Sequence, residues 1–279
     1  MQSAYVHGYT TREAIRLADQ AGTLTDILHH DTRFSPGTRI LEAGCGTGAQ
    51  TVIITKKNPD CQFHSIDISS SSLDVARERI LCNEGYQEGQ VTFEQADICN
   101  LPFPDGEYDH ILLCFVLEHL ADPNKALAEL YRVLKPDGTI TVIEGDHGSV
   151  FFHPHSEAAM QAIKTQIDLQ KKAGGDALIG RKLYPILDMA GFSEVSVSPR
   201  MVYVDAGNPG LVDGFTKKTF IAMIEGVRDE AVRNGLIAER EFDEGVQDLY
   251  RTCDEDGTFI YSFFKATACK ERKNTRGSK

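Results

Sequence analysis

The chain has 279 residues, of which 25% are charged and 41% hydrophobic, and its formal net charge is −12. This composition is typical of a globular protein and excludes the collagen-like, low-complexity and disordered classes. The acidic balance counts against a nucleic-acid partner, because duplex binding draws most of its affinity from Lys and Arg side chains that neutralise phosphates.

The predicted elements begin with one amphipathic helix, Thr11–His29, whose apolar side chains form a broad face. Residues 36–145 then alternate short β-rich runs with longer amphipathic stretches, a pattern typical of βαβ units on a parallel sheet. Strands are predicted at Arg39–Ala43, Gln62–Asp67, Val91–Gln95, 110–115 and 139–144. Helices are predicted between them at 48–58, 72–82 and 123–134, and a turn at 135–138.

The pattern changes after residue 145 and becomes mainly helical. Helices are predicted at 156–173, 181–190, 213–234 and 239–253. Two more strands are predicted at 194–203 and 259–267. We expect the aromatic residues of this later part to belong to the core rather than to a binding site: Phe215, Phe220, Phe242, Tyr250 and Phe259.

A glycine-rich loop follows the first predicted strand and opens the first helix of the alternating region. Glycines in such a loop adopt positive φ and let a ligand approach the backbone with no Cβ in the way. The helix start behind the loop presents free N–H groups to a negative group of the ligand. The second strand ends at Asp67, where a carboxylate can accept hydrogen bonds from both hydroxyls of a ribose. This combination predicts a nucleotide-like cofactor.

A nicotinamide dinucleotide is the main competing cofactor, because Gly44, Gly46 and Ala49 also satisfy the G-x-G-x-x-G/A pattern. Three features favour another cofactor. Glu42 stands two residues before the first glycine, and a further acidic signal, Asp97, follows the third strand. The fourth strand leads into the segment 117–120, Leu-Glu-His-Leu.

Five segments carry a resemblance to a known family. They read ILEAGCGTG (40–48), SIDIS (65–69), ADICNLPFPDGEYD (96–109), LCFVLEHL (113–120) and VLKPDGTI (133–140). Together they resemble the class I S-adenosylmethionine-dependent methyltransferases, and among these the small-molecule enzymes of the ubiquinone/menaquinone-biosynthesis type. The chain departs from the family at Asp137, where a second glycine is common, and this affects a turn only.

The resemblance implies ten residues that hold S-adenosylmethionine: Glu42, Gly44, Cys45, Gly46, Gly48, Asp67, Ile68, Asp97, Ile98 and Cys114. Glu42 and the loop 44–48 would hold the methionine portion, and Asp67 the ribose hydroxyls. Ile68 and Ile98 would pack against the adenine ring, with Asp97 accepting from its amino group. At Cys114 the family uses the main-chain carbonyl, so we expect the thiol to be incidental.

The resemblance also implies a Rossmann-like α/β fold with helices on both faces and an added helical cap. Its seven-stranded, mostly parallel sheet has the order 3-2-1-4-5-7-6, with the last strand antiparallel. We expect one methyltransferase domain over residues 1–279, divided as follows: a helical lid (1–35), the cofactor-binding core (36–145), cap insertions (146–178 and 207–255), the closing strand (258–268) and a disordered tail (270–279).

The implied activity is methyl transfer to a small organic acceptor by in-line displacement, mainly through positioning. The segment after the fourth strand lacks the Asn/Asp-Pro-Pro-Tyr/Phe pattern of methyltransferases that act on amide or base nitrogens, which argues against such substrates. Two alternatives remain: a cofactor-binding protein that has no turnover or serves a protein partner, and an NAD-dependent oxidoreductase. The sequence leaves the oligomeric state open.

Several residues are candidates for contact with the acceptor. His119 can serve as a general base, although it can equally cap or brace its loop. Glu144, Asp146 and His147 follow the fifth strand, at the carboxyl edge where ligands bind in such sheets. Tyr9 precedes the first helix, in a segment that folds over the cofactor in the family.

Other features of the sequence predict no further site. His147, His153 and His155 suggest zinc, but no cysteine lies nearby and we expect no metal. The seven cysteines form no C-x-x-C pair and are expected to be reduced and structural. No secretory signal is apparent, and no apolar run reaches the roughly 20 residues that span a bilayer. We therefore expect a cytoplasmic protein without a membrane span.

Overall fold

The computed structural model describes residues 11–272 and places eight strands in one sheet. The strands are β1 (Arg39–Ala43), β2 (Gln62–Asp67), β3 (Val91–Gln95), β4 (Tyr108–Cys114), β5 (Leu134–Gly145), β6 (Phe151–His153), β7 (Ser193–Asp205) and β8 (Thr258–Cys269). The first helices are α1 (Thr11–His29), α2 (Ala49–Lys57), α3 (Ser70–Leu81), α4 (Pro123–Val133) and α5 (Glu157–Lys172). They are followed by α6 (Leu183–Met189), α7 (Pro209–Leu211), α8 (Ala222–Gly226), α9 (Arg228–Arg233) and α10 (Glu239–Arg251).

The sheet order confirms the predicted topology and adds one strand. The order is β3-β2-β1-β4-β5-β8-β6, and β7 also pairs with β8. β1 to β5 are mutually parallel, whereas β8 runs antiparallel to β5, β6 and β7. Because β7 pairs with β8 along its whole length, β5 and the short β6 share the other edge of β8. Without β6, which the sequence analysis missed, the order is 3-2-1-4-5-7-6.

Local sequence signals account for the starts of the helices around the sheet. The Asp122 carboxylate caps α4 by accepting from the Lys125 N–H, and Pro123 occupies the first turn, so the helix begins at residue 123 as predicted. Ser69 caps α3 by accepting from the Ser72 N–H, so this helix begins two residues earlier than predicted. Ser69 is the first of four consecutive serines, 69–72, and the other three lie inside the helix.

The predicted end of the fourth strand and the predicted turn before the fifth strand were wrong. β4 ends at Cys114 because Phe115 takes a positive φ of 60°. The segment 135–138, predicted as a turn, is the irregular start of β5, where Asp137 has a φ of 64° and its N–H donates to the Lys270 carbonyl. Asp137 thus occupies the left-handed conformation that favours glycine, at an energetic cost of about 1 kcal/mol or more.

The predicted single helix over 213–234 was also wrong. The structure divides this region into a π-helical segment Val212–Ile221, α8 and α9, and the short α7 precedes it. The wide π turn coincides with a close approach of α1, since a Cβ at Gly214 would lie 2.4 Å from the Thr23 hydroxyl. The Thr219 hydroxyl, five residues on, donates to the Gly214 carbonyl at 2.7 Å. Such π segments are frequent at functional sites.

α1 is tied to the sheet by a buried polar cluster at its end. Lys265 on β8 donates to the Asp31 carboxylate at 2.6 Å and to the Thr32 hydroxyl at 2.7 Å. His29 is fully buried beside them and contacts Gln50 of α2 through Nε2 at 2.8 Å. Burial lowers the pKa of His29 to about 4.

The depressed pKa of His29 predicts a loss of stability in acid. Between pH 6.5 and about 4 the unfolded chain binds a proton at His29 that the folded chain does not, so the free energy of unfolding falls as the pH drops. At 1.36 kcal/mol per pKa unit this contribution is about 3 kcal/mol. We expect His29→Gln to remove this pH-dependent contribution. Urea unfolding at pH 7 and at pH 4 measures the difference in the free energy of unfolding. The control is His155→Gln, whose side chain is 68% exposed; an unchanged pH dependence in His29→Gln would contradict this role.

Candidate functional site

The glycine-rich loop forms the floor of the site between β1 and α2. Gly44, Gly46 and Gly48 have φ values of 77°, 53° and 75°. A Cβ at Gly44 would lie 2.6 Å from Val116, and one at Gly48 would lie 3.0 Å from Ala76. At Gly46, by contrast, no atom of the described residues other than its two chain neighbours lies within 4 Å of an ideal Cβ. The outer two glycines therefore permit close packing, and Gly46 leaves open space in front of the backbone.

Asp67, at the end of β2, links the glycine loop to the start of α3. Its Oδ2 accepts from the Gly46 N–H at 2.8 Å, and its Oδ1 accepts from the Ser69 N–H at 2.9 Å. Burial raises the pKa of Asp67, although these backbone donors oppose the shift. The carboxylate thus braces the loop and remains at the surface of a cavity.

Glu42 lies below the loop on β1 and is buried. Its Oε2 accepts from the hydroxyls of Thr51 at 2.8 Å and Ser65 at 2.6 Å. Burial raises the pKa of Glu42 to about 7, and the nearby Asp67 adds to the shift. The two hydroxyls fix the orientation of a carboxyl group that titrates near neutral pH.

The remaining predicted cofactor residues lie around the same opening. Asp97 is exposed and accepts from the Cys99 N–H at 2.8 Å, Ile98 is buried, and Ile68 is 43% exposed. Burial raises the pKa of the Cys45 and Cys114 thiols well above the usual range, so neither is a reactive thiolate. This agrees with the structural role expected for both.

One cavity of about 1210 Å³ brings the predicted cofactor residues together. Nine of the ten lie in its wall: Glu42, Gly44, Cys45, Gly46, Asp67, Ile68, Asp97, Ile98 and Cys114. The tenth, Gly48, packs against α3 instead. The residues come from the ends of β1 to β4, which is the edge where parallel α/β sheets bind ligands.

The other half of the cavity has an apolar wall built mainly by the later part of the chain, with Phe115 added from just beyond the end of β4. This wall contains Phe115, Phe215, Phe220, Met223, Tyr261 and Phe263. Phe215 and Phe220 come from the π-helical segment, so the expectation that they serve only as core was incomplete. Phe242 and Phe259 are fully buried away from the cavity, as predicted, whereas Tyr250 is 39% exposed. α1 contributes Arg16, Leu17 and Gln20.

Four ionisable or hydroxyl side chains meet at this apolar wall. The Tyr261 hydroxyl lies 2.8 Å from Nδ1 of His147, and Nε2 of His147 lies 3.8 Å from Oε2 of Glu118. Nε2 of His119 lies 3.6 Å from the other oxygen of Glu118. All four residues line the cavity, so the candidates His119 and His147 are both placed for contact with a ligand.

The structure does not bring Glu144 and Asp146 to the cavity wall. Glu144 is fully buried, and its Oε1 accepts from the N–H groups of Val116 at 3.0 Å and Leu117 at 2.7 Å. Asp146 accepts two hydrogen bonds from Arg181, at 2.6 and 2.8 Å. Both carboxyl groups therefore support the loops that carry the wall. The remaining acceptor candidate, Tyr9, lies outside the described residues.

The sequence analysis missed Glu118 and Tyr261 as site residues. Glu118 stands next to His119 within the quoted segment 113–120, so the same motif could have pointed to it as a site residue. Tyr261 lies in an apolar strand with no motif, and the pairing of β8 with β5 and β7 brings it to the site.

Residues 11–272 contain neither a cluster of metal ligands nor a helix suited to a membrane. No group of three or more His, Cys, Asp or Glu side chains in that range is arranged to hold a metal ion. None of the helices in that range combines the length and apolar character needed to cross a bilayer.

Comparisons with known proteins agree with this geometry. A family model described as a methyltransferase domain matches residues 41–142. The ubiquinone/menaquinone biosynthesis C-methyltransferase of Marinomonas sp. is 40% identical over 126 residues, which are 45% of this chain and 47% of that protein. The demethylmenaquinone methyltransferase of Symbiobacterium thermophilum is 34% identical over 114 residues, 40% of this chain and 45% of that protein. The chain thus spans about half the length of these relatives.

A solved structure extends the likeness to most of the chain. The phosphoethanolamine N-methyltransferase 2 of Haemonchus contortus superimposes with a TM-score of 0.57, covering 91% of this chain and 53% of that chain. The two sequences are 18% identical, so this likeness concerns the fold alone.

Proposed function

We propose that this chain, whose residues 41–142 are a methyltransferase domain of the class I, S-adenosylmethionine-dependent type, transfers a methyl group to a small organic acceptor. The observation that carries the proposal is the cavity of about 1210 Å³. The ends of β1 to β4 line one half of it with polar and glycine residues, and an aromatic wall lines the other half. A cofactor and an acceptor can therefore lie side by side.

The residues present fit S-adenosylmethionine. Gly46 leaves open space beside a backbone with positive φ, as close approach of a cofactor requires. The Thr47 hydroxyl, next in the loop, is buried at the cavity wall with no hydrogen-bond partner among the described residues. We propose that Glu42 and the loop hold the amino-acid portion, Asp67 the ribose hydroxyls, and Asp97 with Ile68 and Ile98 the adenine.

The bound cofactor would supply a methyl group on a positively charged sulfonium. The chain's own residues then have two tasks: they align the acceptor with that methyl group and they exclude water. The aromatic wall suits both tasks, because Phe215, Phe220 and Phe263 are buried and present apolar surface to the cavity. Because the lining is apolar, we expect the acceptor to have an apolar body.

The helical additions are proposed to act as a cap over the acceptor within a single domain. The segment 207–255 contributes Phe215, Phe220 and Met223 to the wall, and 146–178 contributes His147. These two segments would then set acceptor specificity, while the core 36–145 holds the cofactor.

Calorimetric titration of the full chain tests the cofactor assignment. We expect heat of binding with S-adenosylmethionine and with S-adenosylhomocysteine, and none with NAD. Tight binding of NAD without binding of S-adenosylmethionine would contradict the assignment and favour an oxidoreductase.

A further inference from the structure

We infer that Tyr261, His147 and Glu118 form a relay that removes a proton from the acceptor. In this relay Tyr261 contacts His147, and His147 contacts Glu118. The inference rests on the proposed methyl transfer and names the group that activates the nucleophile. The role of general base thereby passes from His119 to the pair Tyr261 and His147, of which Tyr261 lies on β8.

The first link of the relay is the contact between Tyr261 and His147. The Tyr261 hydroxyl and Nδ1 of His147 are 2.8 Å apart, and both side chains line the cavity. Gly145 leaves room for this contact, since a Cβ there would lie 2.5 Å from the Tyr261 hydroxyl. The ring of Tyr261 is held by Phe215 and Phe263, with centroids 5.7 and 4.6 Å away. The hydroxyl is therefore fixed at the cavity wall.

The second link is the contact between His147 and Glu118. Nε2 of His147 lies 3.8 Å from Oε2 of Glu118, and that oxygen also accepts from the Gln170 amide at 3.1 Å. A carboxylate favours the tautomer whose N–H points towards it, so the proton of a neutral His147 belongs on Nε2. Nδ1 is then an acceptor, and the Tyr261 hydroxyl donates to it.

The electrostatic environment keeps this resting state neutral. Burial raises the pKa of Tyr261 well above its usual value and lowers the pKa of His147. The negative charge of Glu118 contributes to the first shift and opposes the second. A proton that reaches His147 is thus stabilised by Glu118, much as a carboxylate stabilises the imidazolium of a catalytic triad.

The proton transfer balances without a further reactant. The acceptor passes its proton to the Tyr261 oxygen while the Tyr261 proton moves to Nδ1 of His147. The electron pair of the broken bond stays on the acceptor atom, which uses it to bond the methyl carbon. The bond between that carbon and the sulfonium sulfur would break in the same displacement and leave its electron pair on sulfur, so that S-adenosylhomocysteine would depart as a neutral thioether. His147 ends as an imidazolium beside Glu118 and returns its proton to solvent after turnover.

The relay restricts the class of acceptor. A tyrosine hydroxyl can take a proton only as its own proton leaves, so the step is easiest for a donor about as acidic as a phenol. Together with the aromatic wall, this favours a planar acceptor with a phenolic or enolic hydroxyl. An acceptor with no proton to lose, such as a tertiary amine or a thioether, would gain nothing from the relay.

Nitrogen NMR of histidine in the full chain tests the resting state without any acceptor. The protein is labelled with ¹⁵N-histidine and saturated with S-adenosylhomocysteine, and His147→Gln assigns the signal. We expect a neutral His147 with its proton on Nε2 at pH 7, and a change at Nδ1 in Tyr261→Phe. A proton on Nδ1 would overturn the relay.

Turnover with probe phenols tests the step itself. Release of S-adenosylhomocysteine is measured with phenol, catechol and 4-hydroxybenzoate. We expect Tyr261→Phe to lower kcat at least tenfold, with KM for S-adenosylmethionine within twofold, since acid–base groups typically contribute more than this. The matched control is Tyr203→Phe, whose side chain is 52% exposed on β7 and is expected to match the wild type.

The outcomes separate this inference from the proposed function. A Tyr261→Phe enzyme with kcat within twofold of the wild type would overturn the relay and leave methyl transfer intact. So would a wild type that methylates amines or thiols but none of the phenols. Failure to bind S-adenosylmethionine would instead overturn the proposed function, and the NMR result would still decide the geometry of the pair.

Discussion

Replacing Asp67 by alanine is expected to weaken the binding of S-adenosylmethionine more than a hundredfold. The proposed contacts with two ribose hydroxyls are charge-assisted, at about 1.5–3 kcal/mol each, and 1.4 kcal/mol is a factor of ten in affinity. The same carboxylate accepts from the N–H groups of Gly46 and Ser69, so its removal also releases the loop. The dissociation constant is measured by calorimetry on the folded variant.

Asp67→Asn is the matched control, because it keeps the shape and one acceptor oxygen. We expect a smaller loss of affinity than in Asp67→Ala, with the far-ultraviolet dichroism of both variants unchanged. If Asp67→Ala binds S-adenosylmethionine as tightly as the wild type, the end of β2 does not contact the cofactor.

Replacing Glu144 by alanine is expected to lower the free energy of unfolding by about 4 kcal/mol. Its Oε1 accepts from the backbone N–H groups of Val116 and Leu117, and a buried donor left without a partner costs about 1–3 kcal/mol. The lost side-chain volume adds a cavity term. Denaturant unfolding measures the change.

Glu144→Gln retains the accepting oxygen and is expected to cost about 1 kcal/mol. Burial raises the pKa of Glu144 well above its usual range, so the folded chain holds a proton that the unfolded chain releases. The stability that this proton contributes is present below the unfolded pKa and is lost as the pH rises. We expect the free energy of unfolding of the wild type to fall as the pH rises, and that of Glu144→Gln to lack this dependence. Equal free energies of unfolding for the alanine and glutamine variants would contradict the role of the accepting oxygen.

The cofactor half of the site could be predicted because its signals are local in sequence. The glycine loop leads directly from β1 into α2, and Asp67 ends the next strand, so the parallel arrangement alone brings them together. The bounds of β1, β2 and β3 match the prediction, since each is a short β-rich run that follows a helix. The order of the sheet followed from the family resemblance.

The acceptor half could not be predicted, since it depends on tertiary contacts. Tyr261 reaches the site through the antiparallel pairing of β8 with β5 and β7. The π-helical segment that carries Phe215 and Phe220 has the periodicity of neither a regular helix nor a strand, and its shape depends on how closely α1 packs on Gly214. Glu144 and Asp146 lie at the expected sheet edge, but their side chains turn into the protein.

Transfer of a labelled methyl group tests the central claim most directly. The full chain is incubated with S-adenosylmethionine labelled on its methyl group and with a panel of small metabolites that includes phenols. The account predicts that S-adenosylhomocysteine forms and that the label appears in a small organic product. Cofactor binding with no S-adenosylhomocysteine formed across the panel, or label found only in nucleic acid or protein when these are added, would contradict it.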